Sequence, residues 1–286
     1  MLCNLKQSDK KLKIVIDCSN GANYTIAKKV FSKTNFQVSF INNKRKGNLI
    51  NENCGALYTK QLQQEVLKEK ADVGFAFDGD ADRLVVVDET GKEVDGNKML
   101  FLFSKILQND GLLRNNIMVS TVYMNTKIIK MLEDIGIKAT MVDVGDKYII
   151  RELIDKNLSF GGEASGHYIF KDILETGDGL LSSIFVCNIL QSETENLSKL
   201  NNYELFSMIT ESVIINKLKN EEVKREFLKE CENIINDTNN QVRINIRNSG
   251  TEPKIRIMCE SPEQEVTQYY INIIKNIVLK YETNEN

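Results

Sequence analysis

The apolar positions along the chain fall into short runs separated by polar, glycine- or asparagine-bearing turns. Residues 12–17 (LKIVID) run almost wholly apolar into Asp17, which predicts a buried strand. A CSNGAN turn follows, then a helix over 24–32 and a second strand over 37–41. The stretch 44–55 is polar and Asn-rich and reads as a loop. Residues 59–70 carry helical spacing, with Leu62, Val66 and Leu67 assigned to one face. Strands are predicted over 73–77 and 84–88.

The alternation then repeats. A helix over 98–107, a strand over 117–120, a helix over 126–135 and a strand over 138–142 come in turn. The helix over 147–156 is expected to bury Ile149, Ile150, Leu153 and Ile154. A glycine-rich loop at 161–166 leads to a short strand at 168–170, an apolar helix over 180–190 and a polar connector at 193–202. Strands alternating with helices indicate α/β units. The last part differs: strands over 212–216, 241–246 and 254–260 are set among helices over 221–235 and 264–280. The chain is therefore divided into 1–97, 98–200 and 201–286.

Composition narrows the function. The longest uninterrupted apolar run is 99–103, far short of the ~20 residues a membrane helix needs, so no membrane partner is expected. A net charge of −3 argues against a general nucleic-acid binder, which needs a basic face. The Lys-rich start has no apolar segment after it and does not read as a signal peptide. Six cysteines at 3, 18, 54, 187, 231 and 259 include no C-x-x-C pair, as expected for thiols of a reducing cytoplasm. With one histidine in the chain, no zinc cluster and no two-histidine scheme can be built.

Three loops carry chemistry. In Asp78-Gly79-Asp80-Ala81-Asp82-Arg83, three carboxylates alternate between two apolar strands. Crowded like charges repel unless a cation joins them. An all-oxygen set suits Mg²⁺, with Arg83 adding charge for phosphate oxygens. An EF-hand would place Asp78, Asp80, Asp82 and Glu89 at its ligand positions. It needs Gly where Arg83 stands and a helix where LVVVD follows, so it is set aside. A solvated acidic turn stays open as the alternative.

The second loop is Gly161-Gly162-Glu163-Ala164-Ser165-Gly166-His167. Glu163 and Ser165 can bond sugar hydroxyls, and His167 can move a proton near neutrality. A glycine hairpin with a structural histidine is the rival reading. The third is Arg247-Asn248-Ser249-Gly250-Thr251-Glu252-Pro253, followed by Arg256. Its arginines, hydroxyls and Gly turn make an oxyanion cradle, or an ordinary hairpin with exposed arginines.

Together and in this order, the loops resemble those of the α-D-phosphohexomutase superfamily: a metal loop D-G-D-G/A-D-R, a sugar loop G-E-x-S-G-H and a phosphate loop R-x-S-G-T-E-P. The stretches at 13–24, 47–56, 144–149 and 176–181 look like those of its phosphoglucosamine mutases. The resemblance covers 12 to about 280. It implies two mixed-sheet α/β domains followed by a smaller α+β C-terminal domain. It also implies an activity interconverting glucosamine 6-phosphate and glucosamine 1-phosphate through a phosphoserine and a sugar bisphosphate.

Carried over by motif, Asp78, Asp80 and Asp82 would bind Mg²⁺ and Arg83 would flank the transferring phosphate. Lys147 would face the ligand, Glu163 and Ser165 would hold sugar hydroxyls, and His167 would stand near the acid/base position. Arg247, Ser249, Gly250, Thr251 and Arg256 would bind the other phosphate of a hexosamine phosphate.

The family serine sits in a T/S-A-S-H-N-P loop of a first domain, and these 286 residues contain no such segment. The expectation is a chain without turnover alone, its serine supplied by an N-terminal domain or a separate chain. Residues 123–127 (YMNTK) also depart from the family's M-S-N-x-G. The alternatives are a non-catalytic sugar-phosphate binder and a mutase for glucose or mannose phosphates.

Overall fold

The computed structural model describes residues 9–45, 47–215, 221–238, 241–248 and 253–283. The chain forms two compact units, Met1–Tyr203 and Glu204–Asn286. Among the described residues no helix is long and apolar enough to cross a membrane.

The first unit contains two sheets built on one plan. β1 (Lys13–Asp17), α1 (Ile26–Phe31), β2 (Gln37–Ile41), α2 (Lys60–Glu69), β3 (Val73–Phe77), β4 (Leu84–Asp88) and β5 (Glu93–Val94) give a sheet of order β2-β1-β3-β4-β5. β1 runs parallel to β2 and β3, and β4 returns antiparallel. Next come α3 (Gly96–Asn109), β6 (Ile117–Thr121), α4 (Thr126–Asp134), β7 (Lys138–Val142), α5 (Asp146–Asp155), β8 (Phe160–Gly162) and β9 (Tyr168–Phe170). Their sheet has the order β7-β6-β8-β9, again two parallel pairings and an antiparallel return. The metal loop joins β3 to β4 and the sugar loop joins β8 to β9. The two loops therefore occupy equivalent places in the two sheets, just past the carboxyl ends of parallel strands, where open α/β sheets bind ligands.

Burial explains why these segments fold as they do. α2 lays Leu62 and Val66 on Val15, Ala76 and Val87 of the first sheet. Full burial of one such side chain contributes about 1.5–3 kcal/mol. Leu67, expected on the same face, is 54% exposed. On α5, Ile149 and Leu153 are buried as expected, but Ile154 is 51% exposed, one turn position beyond the packed stripe.

α6 (Gly179–Ser192) is buried nearly all round, which is why it carries no polar face. It packs on β3 and β4 of the first sheet and on α3. Phe185 of α6 stacks on Phe170 at 3.9 Å, beside Phe103, Phe160 and Tyr168. Asp95, Asn125 and Asp178 cap α3, α4 and α6 through the amides of Asn97, Lys127 and Leu181. Within the expected polar connector, α7 (Leu197–Leu200) forms. At its start Ser198 donates its amide at 3.2 Å and its hydroxyl to Glu89, on the turn after β4.

The second unit has β10 (Ser207–Ile214), α8 (Glu221–Asp237), β11 (Arg243–Asn248), β12 (Lys254–Ser261) and α9 (Gln264–Thr283). Its sheet is antiparallel, of order β10-β12-β11. Ile255, Ile257 and Cys259 of β12 alternate onto one face and bury against Ile271 and Ile274 of α9 and Phe227 and Cys231 of α8. The five cysteines among the described residues are buried free thiols.

Candidate functional site

β3 is buried along its whole length and delivers Asp78 at its carboxyl end. The turn to β4 passes through Ala81 at φ 68°, a left-handed conformation that folds the segment back on itself. Asp78, Asp80 and Asp82 thereby bring carboxylate oxygens within 4.8 Å of one another. Burial, with repulsion from Asp82 and Asp80, pushes the Asp78 carboxyl up to about 6, although the Arg83 amide bonded to it pulls the other way. Arg83 places its amide 3.1 Å from Asp78 Oδ1, and its Nε 3.7 Å from Asp78 Oδ2 and 3.9 Å from Asp82 Oδ1. Asp82 Oδ1 is buried without a hydrogen-bond partner. An orphaned carboxylate oxygen among crowded carboxylates fits a hard divalent cation, so the residues present suit Mg²⁺.

The sugar loop is tied directly to this turn. The expected glycine loop begins later than the sequence suggests, since Gly161 and Gly162 belong to β8 and pair with Ile169 and Tyr168. A Cβ on Gly161 would lie 2.7 Å from the Val119 carbonyl oxygen, so only glycine fits the strand here. Glu163 donates its amide to the His167 carbonyl and accepts from the Gly166 amide, closing a tight turn. Gly166, at φ 96°, accepts the Leu84 amide at 3.0 Å, where β4 begins. His167 sets Nδ1 3.2 Å from Asp82 Oδ2, with 6% of its side chain exposed, and its Nε2 is buried without a hydrogen-bond partner. Ser165 is exposed at the turn, and Glu163 is half-buried.

Other predicted residues take these places. Lys147 lies exposed in the first turn of α5, its Nζ 4.7 Å from the Tyr148 ring. That turn is joined to the sugar loop, because Glu163 Oε1 accepts the Gly145 amide at 3.3 Å. In the second unit, Arg247 and Arg256 stand opposite each other on β11 and β12, with Ser212 of β10 next in the same row. Arg243, farther along that face, pairs with buried Glu260 at 2.8 Å, and burial lowers its pKa. Ser249, Gly250 and Thr251 lie outside the described residues.

The 176–181 stretch (TGDGLL) supplies two glycines on which the site depends. Gly177 makes room for the imidazole: a Cβ there would fall 2.3 Å from His167 Cε1. Gly179 donates its amide to the Ala81 carbonyl at 3.0 Å, and a Cβ on it would meet the Arg83 carbonyl at 2.4 Å. A Cβ on Gly96, opening α3, would meet the Ala164 carbonyl at 1.9 Å. The available signal was glycine beside Asp178 at the start of an apolar helix.

Family profiles match the chain in order. Phosphoglucomutase/phosphomannomutase alpha/beta/alpha domain II matches residues 3–91, alpha/beta/alpha domain III matches 95–206, and the C-terminal domain matches 213–276. The chain belongs to the phosphoglucomutase/phosphomannomutase family. Within that family it is a homologue of the phosphoglucosamine mutases. It is 39% identical to that of Caldicellulosiruptor bescii over 90% of this chain and 58% of the relative. It is 40% identical to that of Ruthia magnifica over 95% of this chain and 62% of the relative. The chain thus spans about three fifths of the length of these curated relatives.

Solved structures agree on the fold. A phosphoglucomutase/phosphomannomutase family protein from Burkholderia thailandensis superposes with a TM-score of 0.82 at 19% identity, covering 100% of this chain and 64% of that one. N-acetylphosphoglucosamine mutase from Aspergillus fumigatus, solved with GlcNAc-6P and magnesium, gives 0.76 at 18% identity, covering 98% and 63%. The family fold expected from the three loops, two mixed-sheet α/β domains and a C-terminal α+β domain, is the one observed.

Proposed function

We propose that this chain is the domain II–IV part of a phosphoglucosamine mutase, with domains at 1–97, 98–200 and 201–286, acting on hexosamine phosphates with Mg²⁺. The observation that carries the reading is the convergence of the metal and sugar loops, in which His167 of one loop bonds Asp82 of the other. Bound at Asp78, Asp80 and Asp82, the cation would neutralise phosphoryl oxygens during transfer.

The remaining roles belong to the protein. Arg83, exposed beside the carboxylates, clamps the transferring phosphoryl group. Glu163 and Ser165 orient sugar hydroxyls, and Lys147, on the turn tied to Glu163, faces the ligand. Arg247 and Arg256 bind the phosphate that is not reacting, together with Ser249, Gly250 and Thr251. His167 serves beside Asp82 at the acid/base position. The phosphoryl group passes from a phosphoserine oxygen to a sugar hydroxyl oxygen, whose proton goes to the serine. That serine comes from outside this sequence, in an N-terminal domain or a separate chain of the same cytoplasmic enzyme.

Calorimetry and a turnover assay on the purified 286-residue chain test this. The expected result is binding of glucosamine 6-phosphate with Mg²⁺ and no formation of glucosamine 1-phosphate. Formation of glucosamine 1-phosphate by the chain alone would refute the division of labour. No binding of the sugar phosphate would refute the site.

A further inference from the structure

Asp17 closes β1 and is wholly buried, yet it lies outside the acidic loop that answers the metal chemistry. Its carboxylate is bonded within the protein. Oδ1 accepts the Ser19 amide at 2.8 Å, and Oδ2 accepts the Gly55 amide at 3.0 Å and Asn42 Nδ2 at 3.1 Å. These bonds fix an unusual turn. Ser19 (φ 50°) and Asn20 (φ 53°) are consecutive non-glycine residues in the left-handed region, a conformation that persists only where the surroundings over-determine it. Gly55 is wedged between the ends of β1 and β3: a Cβ on it would lie 2.5 Å from both the Phe77 carbonyl oxygen and Ser19 Cβ.

The turn so fixed grips the metal loop by its backbone. The Ser19 hydroxyl, 2.9 Å from the Asp78 carbonyl oxygen and 2.7 Å from that of Cys18, shares its proton between them, and the Ala22 amide donates to the Gly79 carbonyl at 2.8 Å. Gly21 lies so close that a Cβ would stand 2.3 Å from the Gly79 oxygen. The two successive carbonyls at the root of the acidic loop are therefore held by a turn that answers to one buried carboxylate. Asp78, Asp80 and Asp82 repel one another, and without such a hold the loop would relax by spreading them.

We infer that Asp17, acting through the Ser19 turn, is a positioning residue that presets the carboxylate cluster for a divalent cation. The inference rests on the metal reading above and extends it to residues that touch neither metal nor sugar. Supporting groups of this kind are worth about 10–100-fold in metal affinity.

The test counts free Mn²⁺ by electron paramagnetic resonance in titrations of the full chain, alongside melting of the metal-free protein. Ser19→Ala removes the hydroxyl that the Asp78 and Cys18 carbonyls share and leaves the Asp17 carboxylate and its bond from the Ser19 amide in place. It is expected to weaken Mn²⁺ binding about tenfold while melting shifts by only about 2–4 °C, as for one lost hydrogen bond. Asp17→Asn is expected to weaken binding further. A merely structural role would lower melting and leave the affinity of the folded protein unchanged. Unchanged affinity in Ser19→Ala overturns the inference, even if Asp17→Asn fails to fold. Absence of Mn²⁺ binding in the unaltered chain would instead overturn the metal reading itself.

Discussion

His167 Nδ1 stands 3.2 Å from Asp82 Oδ2, so an imidazole carried by one sheet holds a carboxylate carried by the other. The ring has its place because residue 177 lacks a side chain. Gly177→Ala is therefore expected to cost about 1–3 kcal/mol by overpacking. Removing the ring should relieve that cost, so His167→Ala/Gly177→Ala should be no less stable than His167→Ala alone. Chemical denaturation of the three variants measures the coupling. Strictly additive losses would show that residue 177 does not act through the imidazole.

Asp78 sets the pH dependence. Its carboxyl is pushed up to about 6 from an ordinary 3.8, with burial the largest cause. The raised value means that the folded chain favours the proton. Its contribution to metal-free stability is complete below about pH 4 and is lost as pH rises through about 6. Cation binding runs the opposite way, since it needs the carboxylate. With about a tenth of Asp78 ionised at pH 5 and nine tenths at pH 7, Mn²⁺ affinity should rise about tenfold between them. Titration calorimetry at the two pH values decides the matter, and a flat profile would show that the Asp78 carboxyl is not raised.

Arg247 and Arg256 face each other across an antiparallel pair, where like charges repel. An anion between them should stabilise the second unit. Inorganic phosphate at 100 times its dissociation constant should add about 2.7 kcal/mol, read as slower amide exchange in β11 and β12. Arg256→Gln is expected to abolish that protection and to change anion-free stability by no more than about 1 kcal/mol. Equal protection in the variant would place the anion elsewhere.

Strands with apolar interiors, such as Lys13–Asp17 and Val73–Phe77, were legible because both faces are buried and nearly every position answers to one pressure. The acidic loop was legible for a different reason: three carboxylates in alternation have few structural uses. β8 was hidden because Gly161 and Gly162 carry no strand signal, although the lack of room for a Cβ is what selects them. β10 was read only from 212, since its first half mixes Thr210 and Glu211 among apolar residues and is recognised by its register with β12. Leu67 and Ile154 show the limit of periodicity, which finds the stripe but not its edge. The Asp17 turn was invisible as a support because its bonds reach up to 59 residues away, to Asn42, Gly55 and Asp78.

The bond from Ser198 to Glu89, with α6 packed on β3 and β4, also determines how the molecule comes apart. Two sheets that share α6, with α7 beyond it tied to the turn after β4, have little reason to melt separately. Scanning calorimetry of the full chain should then resolve at most two transitions, one for each compact unit, and not three. A fault planted in the core of the second sheet would disable the acidic loop of the first without touching it, because the two can only be lost together.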